Sequence, residues 1–206
     1  MTDTNFIATA ALIAVLAAEV AQAQPLERFE PAERRGTKIA LGVDEARKLF
    51  ACKTRISFMQ GHGTQVSYTH PDGAIFLWYP GNAVVVTGKW QVASRTTPSQ
   101  PPREYAAICF QYGSNTYNPV TRQFGGNWQC MPADVLYRLT VDHSDGDVFG
   151  LRTRTAVPFR LSPERTTIAD LMKQIRSLGA QEVQSSPRPD IACEKGEATL
   201  EWMWNG

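Results

Sequence analysis

Residues 71–90 read PDGAIFLWYPGNAVVVTGKW, and this stretch decides the fold class. Pro-Asp-Gly and Pro-Gly-Asn are turn signals, because proline presets φ while glycine and asparagine accept the left-handed region. The runs that follow these two turns are rich in isoleucine, phenylalanine, tryptophan and valine, which suit the pleated, half-buried surface of a sheet. The stretch therefore predicts a β-hairpin followed by further strands.

Short apolar runs predict more strands on both sides of this hairpin, and two segments predict helices. Residues 43–51 carry one apolar face, with Asp44 as the expected N-cap. An amphipathic helix follows Thr167 and ends at Gly179, where a left-handed C′ residue belongs. The predicted fold class is α+β, a mostly antiparallel β-sheet or partly closed barrel with one short N-terminal helix and one C-terminal amphipathic helix packed on it. The other predicted strands cover residues 54–59, 65–69, 106–112, 128–131, 135–141, 148–154 and 198–204.

Residues 1–23 have the features of a cleaved secretory signal peptide. Residues 6–18 are almost entirely apolar or small, and the segment at 21–23 reads Ala-Gln-Ala, a small-x-small cleavage site, although no basic residue precedes the apolar run. That run is too short for a membrane span, which needs about 20 residues. We therefore expect a periplasmic or secreted chain whose mature part has no transmembrane segment. Residues 24–41 are rich in proline and charge and predict a flexible arm, and residues 42–206 predict a single β-rich domain.

The four cysteines, Cys52, Cys109, Cys130 and Cys193, all lie in the predicted mature chain. An even number of cysteines in an exported chain predicts two disulfides, for which three connectivities are possible. We favour Cys109–Cys130, because these residues flank what resembles a long hairpin loop, and Cys52–Cys193 then follows by default. A zinc site is the alternative, but the spacings contain no C-x-x-C pair.

Charge and motifs exclude several classes of function. The formal net charge is +1 and basic residues never form a long run, which argues against a nucleic-acid-binding protein. No phosphate-binding, dinucleotide-binding or nucleophile-elbow motif is present, and His62, His70 and His143 lack metal-ligand spacing. Residues 142–147 resemble a calcium loop but lack its first ligand and its distal glutamate, so an Asp-Gly hairpin turn explains them better. The sequence predicts no cofactor and no metal site.

Residues 112–128, which we call the aromatic loop, are the strongest candidate for a binding site. Flat aromatic rings alternate here with amide side chains and an arginine, a combination that suits a polar, ring-shaped ligand such as a sugar. Loops longer than about 12 residues in compact domains are often functional. The alternative is that the rings only pack the loop down beside a disulfide. The candidate ligand-binding residues are Tyr112, Asn115, Tyr117, Asn118, Arg122 and Trp128.

Several short motifs follow one another in an order that resembles a known group of proteins. After the predicted helix at 44–51 come KT at 53–54, PDG at 71–73, GKW at 88–90 and ICF at 108–110. This order resembles that of small secreted proteobacterial proteins of unknown function. The resemblance implies an exported β-rich domain and supplies no catalytic residues. The GKW motif is also similar to the G-x-W of lipocalins, although in lipocalins it stands near the first strand and here it follows several.

The sequence favours an exported, disulfide-stabilised domain that binds a polar ligand or an envelope partner, such as a cell-envelope saccharide or protein, without catalysis. An envelope hydrolase is the first alternative, and it requires two facing carboxylates with shifted pKa values, which a sequence does not place. A purely structural or interaction protein is the second alternative, and an extended exposed apolar patch would support it.

We expect protein secreted by a native-like host to begin at Gln24 and to contain no thiol that reacts before reduction, because export removes the signal peptide and allows both disulfides to form. Mass spectrometry after alkylation, with and without reduction, measures both properties. Four reactive thiols on an unreduced chain that begins at Met1 would contradict the export hypothesis and return a cytosolic metal site to consideration.

Overall fold

The computed structural model describes residues 41–179 together with Cys193. Two sets of elements make up this part of the chain. The helices are α1 (Val43–Phe50), α2 (Ala133–Leu139), α3 (Ile168–Ser177) and a 3₁₀ helix (Leu151–Thr153). The strands are β1 (Lys53–Met59), β2 (Gly63–Thr69), β3 (Ala74–Trp78), β4 (Val86–Thr96), β5 (Glu104–Tyr112), β6 (Tyr117–Asn118), β7 (Gln123–Phe124), β8 (Gln129–Pro132) and β9 (Thr140–Asp145).

Seven strands form one antiparallel sheet in the order β8-β5-β4-β3-β2-β1-β9, and this sheet curls into a half-barrel. The hairpin predicted from residues 71–90 lies at its centre, where β3 pairs with β4 from Ala74–Lys89 to Leu77–Val86. Strand β4 then continues and pairs along the whole of β5. Strands β6 and β7 form a separate ribbon within the aromatic loop. The prediction of a β-rich α+β fold with a mostly antiparallel, partly closed sheet is therefore confirmed.

Each face of the sheet has its own hydrophobic core, because successive side chains of a strand point to opposite faces. One core lies beneath α3 and includes Ile56 and Trp78, which are fully buried. The other core lies beneath α1 and α2 and includes Phe50, Trp90 and Leu136. We call the face that carries α1 and α2 the inner face.

The predicted caps are confirmed for α3 and corrected for α1. The side chain of Thr167 accepts a hydrogen bond from the N–H of Asp170 at 3.2 Å, and Gly179 has a φ of 61°. At α1 the N-cap position is occupied by Gly42, which makes no side-chain cap, so the prediction that Asp44 is the N-cap is wrong. Asp44 instead lies in the first turn, where its carboxylate is stabilised by the positive end of the helix.

The prediction of a strand at residues 135–141 is wrong, because this segment is mainly helix α2. Alternation of apolar residues over so few positions fits one face of a short helix equally well. Ala133 and Leu136 are buried three positions apart, as a helix requires, and Arg138 donates to the carboxylate of Asp134 one turn earlier at 2.8 Å. The hydroxyl of Thr140 caps the end of α2 by donating to the carbonyl of Leu136.

The hairpin predicted around residues 142–147, with its return strand at 148–154, is also wrong. Strand β9 continues to Asp145 and pairs with β1. The chain then winds into the 3₁₀ helix because the carboxylate of Asp147 accepts the N–H groups of Leu151 and Arg152, both at 2.8 Å. Gly150, with a φ of 63°, permits the turn that precedes this helix.

Both favoured disulfides are confirmed. Cys109–Cys130 joins neighbouring positions of β5 and β8, with Cα atoms 4.0 Å apart. Cys52–Cys193 has Cα atoms 5.5 Å apart and spans 141 residues of sequence. By restricting the unfolded chain, the short bridge contributes about 3 kcal/mol and the long one about 5 kcal/mol.

Three predictions fall on residues outside the described part of the chain: the signal peptide at 1–23, nearly all of the arm at 24–41, and the last strand at 198–204. In the part that the structure describes, no helix has the length and apolarity that a membrane crossing requires.

Two glycines with positive φ give a matched test of the packing. Gly63 has a φ of 72°, and a side-chain carbon there would lie 2.6 Å from Pro163, whereas Gly81 has a φ of 76° and open space around it. We expect Gly81→Ala to lower the free energy of unfolding by about 1–2 kcal/mol, the cost of a left-handed alanine. We expect Gly63→Ala to lower the free energy of unfolding by about 1–3 kcal/mol more than Gly81→Ala does, because the added side-chain carbon forces β2 and the segment at Pro163 apart.

Urea denaturation of both variants measures this difference. Equal losses for Gly63→Ala and Gly81→Ala would show that β2 does not pack against the segment at Pro163.

Candidate functional site

The aromatic loop leaves the sheet between β5 and β8, and its base is rigid. The Cys109–Cys130 disulfide joins the two strands. The side-chain amide of Gln111 donates to the carbonyl of Gly126, and the N–H of Gly126 donates to the carbonyl of Tyr112, both at 2.8 Å. These contacts fix the direction in which the loop leaves the sheet.

Beyond this base the loop folds back as the β6–β7 ribbon and presents aromatic rings to solvent. Tyr117 lies opposite Phe124, with ring centroids 5.1 Å apart and ring planes inclined at 53°. Tyr117 is 53% exposed, Phe124 68% and Trp128 40%. Of the six large hydrophobic side chains exposed in the described part of the chain, these three and Val120 belong to the aromatic loop. We call Tyr117, Phe124 and Trp128 the aromatic surface.

The polar candidates of the loop have different roles. The side-chain oxygen of Asn118 accepts the N–H groups of Val120 and Thr121, at 3.0 and 3.2 Å, so its amide closes the turn at the tip. Asn115 and Arg122 are exposed, and Arg122 adopts a positive φ of 56° at the turn. The structure therefore leaves Asn115 and Arg122 as the polar groups available to a ligand beside Tyr117 and Trp128.

The tip of the aromatic loop contacts the turn between β1 and β2. A side-chain carbon placed at Gly61 would lie 3.1 Å from Cγ1 of Val120. In the same turn, Nδ1 of His62 lies 2.9 Å from the hydroxyl of Tyr79. Burial lowers the pKa of His62 and raises the pKa of Tyr79. The loop therefore reaches from the β5–β8 side of the half-barrel to β1 and β2.

A second candidate site lies on the inner face, around Arg55 of β1. This side chain is 4% exposed, and its guanidinium carbon lies 4.3 Å from the centroid of the Phe50 ring. Its Nε and Nη1 atoms are buried and have no hydrogen-bond partner among the described residues. Burial lowers the pKa of Arg55 to about 9, so the group is still protonated at neutral pH. A buried cation without acceptors is costly and therefore requires an explanation.

Tyr112 lies close to Arg55, although four strand spacings separate β5 from β1 in the sheet order. In a flat sheet these spacings would hold the two residues about 19 Å apart. Burial raises the pKa of Tyr112, and the Arg55 guanidinium opposes that rise, which requires proximity. The curl of the sheet therefore makes the inner face concave. The Tyr112 ring packs with Phe110 against the inner core. Tyr112 therefore lies apart from the other five candidate residues of the aromatic loop.

Two residues flank Arg55 on the neighbouring strands, Ser67 of β2 and His143 of β9. Burial lowers the pKa of His143, the Lys53 ammonium lowers it further, and two neighbouring aspartates act in the opposite direction. Lys53 itself forms an ion pair with Asp145. At neutral pH the inner face therefore carries a positive charge at Arg55 beside a neutral imidazole.

The aspartates at residues 142–147, which resemble a calcium loop in sequence, have structural roles. Asp142 accepts the N–H of Ile168 at 2.8 Å, at the start of α3. Asp145 pairs with Lys53, and Asp147 caps the 3₁₀ helix. Among the residues that the structure describes, no group of three or more His, Cys, Asp or Glu side chains is arranged to hold a metal ion.

Asp72 is a carboxylate whose pKa departs from the ordinary value. Burial acts to raise this pKa, but the N–H of Ala74 and the imidazole of His70, 2.7 Å away, lower it by more. The net shift is downward, so Asp72 is ionised and holds a turn. A general acid of a hydrolase requires the opposite shift.

Sequence reasoning missed Arg55. The pattern at residues 54–59 places Ile56 and Phe58 on one face of the strand, which leaves Arg55 on the opposite face without any sign that this face is covered. One feature of the sequence could have indicated that Arg55 is buried, namely the short distance along the chain between α1 and β1. Helix α1 ends three residues before β1 begins and folds back onto the face that carries Arg55. The predicted site included Tyr112 for its position in the loop rather than for its proximity to this cation.

Comparison of the chain with protein-family models, curated proteins and solved structures finds no match.

We expect the pKa of His143 to respond in opposite directions to two substitutions beside it. Lys53→Met should raise it, because a nearby positive charge is removed, and Asp145→Asn should lower it, because a negative charge is removed. NMR titration of the His143 ring measures both changes, with His62 as an internal reference. Shifts of the same sign in the two variants would show that His143 does not lie between these charges.

Proposed function

We propose that this chain is an exported, non-enzymatic binding domain whose ligand is a cell-envelope saccharide and whose contact surface is the aromatic loop. The observation that carries the proposal is the exposure of Tyr117 and Phe124 on a ribbon whose base is held by a disulfide. A rigid base matters because aromatic side chains held in place bind with little loss of conformational entropy. All four cysteines are paired, which supports an oxidising compartment.

The chemistry of the loop suits a sugar. A pyranose ring has an apolar face of C–H groups and a rim of hydroxyls, so it needs a flat aromatic face and nearby hydrogen-bonding groups. The aromatic surface supplies the faces, and the 53° inclination between Tyr117 and Phe124 orients them in two directions. Asn115 and Arg122 supply exposed polar groups on the same loop.

The arrangement of the aromatic surface favours binding over a purely packing role. Rings that only hold a loop down lose most of their exposure, whereas Phe124 keeps 68% of its own. The loop is already held by the Cys109–Cys130 bridge, the hydrogen bonds at its base and the Val120 contact at its tip. The three rings are therefore available for a ligand.

We expect Tyr117→Ala and Trp128→Ala each to weaken binding of envelope saccharides by at least about tenfold, because each removes one exposed ring of the aromatic surface. Peptidoglycan fragments and lipopolysaccharide core oligosaccharides are the probes, and isothermal titration calorimetry gives the affinities. Circular dichroism and the unfolding midpoint of each variant verify that the fold is intact.

Leu178→Ala is the matched control. Leu178 is 59% exposed at the end of α3. The substitution therefore removes exposed apolar area away from the aromatic loop and should leave saccharide binding unchanged. The proposal is wrong if the wild-type protein binds none of the saccharides. It is also wrong if the folded Tyr117→Ala and Trp128→Ala variants bind as the wild type does.

A further inference from the structure

We propose that the inner face holds a binding site for a small organic carboxylate, with Arg55 as its cationic anchor and Tyr112 as a second hydrogen-bond donor. This site lies on the concave side of the sheet, among the residues that pack beneath α1 and α2. It differs from the solvent-exposed aromatic surface and does not depend on the saccharide proposal.

The first argument is the unused hydrogen-bonding capacity of a buried group. Nε and Nη1 of Arg55 carry three N–H donors, and no acceptor among the described residues contacts either nitrogen. The Phe50 ring covers the guanidinium carbon at 4.3 Å. The donors of a guanidinium point outward in its plane, so an acceptor must approach at the edge, which suits a planar carboxylate.

The second argument is charge. Water molecules satisfy donors but do not neutralise a cation, and a buried cation without a counter-ion destabilises the folded state. The neighbouring Lys53 is already paired with Asp145, and burial keeps His143 neutral at neutral pH. The site therefore offers one positive charge, which matches a monoanionic carboxylate better than a dianionic phosphate.

The third argument is the position of Tyr112. The curl of the sheet brings its side chain near Arg55 from the far side of the half-barrel, and burial keeps its phenol protonated at neutral pH. A protonated phenol donates a hydrogen bond. Tyr112 can therefore bind one oxygen of a carboxylate while Arg55 binds the other oxygen. The rings of Phe50 and Phe110 lie beside these two groups and favour a ligand with an apolar body.

The test is a titration of the disulfide-bonded protein, followed by NMR of the Arg55 Nε–H signal, which is assigned by its loss in Arg55→Lys. Acetate and benzoate are the probes, and acetamide and benzamide are neutral controls of nearly the same shape. We expect both carboxylates to shift the Arg55 signal and to raise the melting temperature, and both amides to leave them unchanged.

Arg55→Met should weaken carboxylate binding by at least about tenfold. It should also melt at a higher temperature than the wild type without ligand, because it removes an unpaired buried charge. If Arg55→Met does not fold, Tyr112→Phe is the second variant; it keeps the ring and should weaken binding while leaving the preference for carboxylates over amides.

Arg165→Met is the matched control, because Arg165 also lies over a phenylalanine ring, Phe58 at 4.8 Å, but is exposed. The Arg165→Met variant should bind acetate and benzoate as the wild type does. The Tyr117→Ala variant should also bind both carboxylates normally, and this result would show that the Arg55 site is distinct from the aromatic surface. The proposal is overturned if neither carboxylate shifts the Arg55 signal, or if the amides shift it equally. Unchanged carboxylate affinity in folded Arg55→Met would also overturn it.

Discussion

The absence of a side chain at Gly88 is the constraint on which the inner face depends. A side-chain carbon at this position of β4 would lie 2.6 Å from the carbonyl oxygen of Gln111 and 2.7 Å from Cδ1 of Tyr112. With glycine there, the Tyr112 ring lies directly over β4. A larger residue would lift this ring away from the strand, and the pairing of β4 with β5 would have to shift with it. The position of the Tyr112 ring on the inner face therefore depends on this close approach.

The parts of the fold that sequence predicts are those with local causes. The central hairpin follows from two turn motifs and the β-branched and aromatic runs beside them. Helix α3 follows from a Thr167 cap, a 3.6-residue apolar period and Gly179. The disulfide at the base of the aromatic loop follows from the position of two cysteines on either side of a hairpin loop. Each of these signals lies within a short segment of the chain, the longest of them being the 21 residues that separate the two cysteines.

The parts that sequence did not predict have causes that are distant along the chain. Helix α2 forms on a segment whose short apolar alternation also fits a strand, and its burial against the inner face decides between the two. Arg55 looks like a solvent-facing residue until α1 folds over it. Its proximity to Tyr112 depends on the curvature of a sheet in which four strand spacings separate them. The aromatic rings of the loop were predicted as a group, whereas the packing of the half-buried Tyr112 ring against the inner core required the fold.

The long disulfide has a mechanical consequence. Cys52 and Cys193 are joined across 141 residues of sequence, so the bridge closes the whole of the described sheet into one covalent ring. A pulling force applied to the two ends of the chain passes directly from Cys52 to Cys193 and bypasses every strand between them. Only the residues outside this ring extend under load. The half-barrel and the aromatic loop therefore keep their shape under tension, whereas α1, with the Phe50 ring that covers Arg55, lies outside the covalent ring and bears the load.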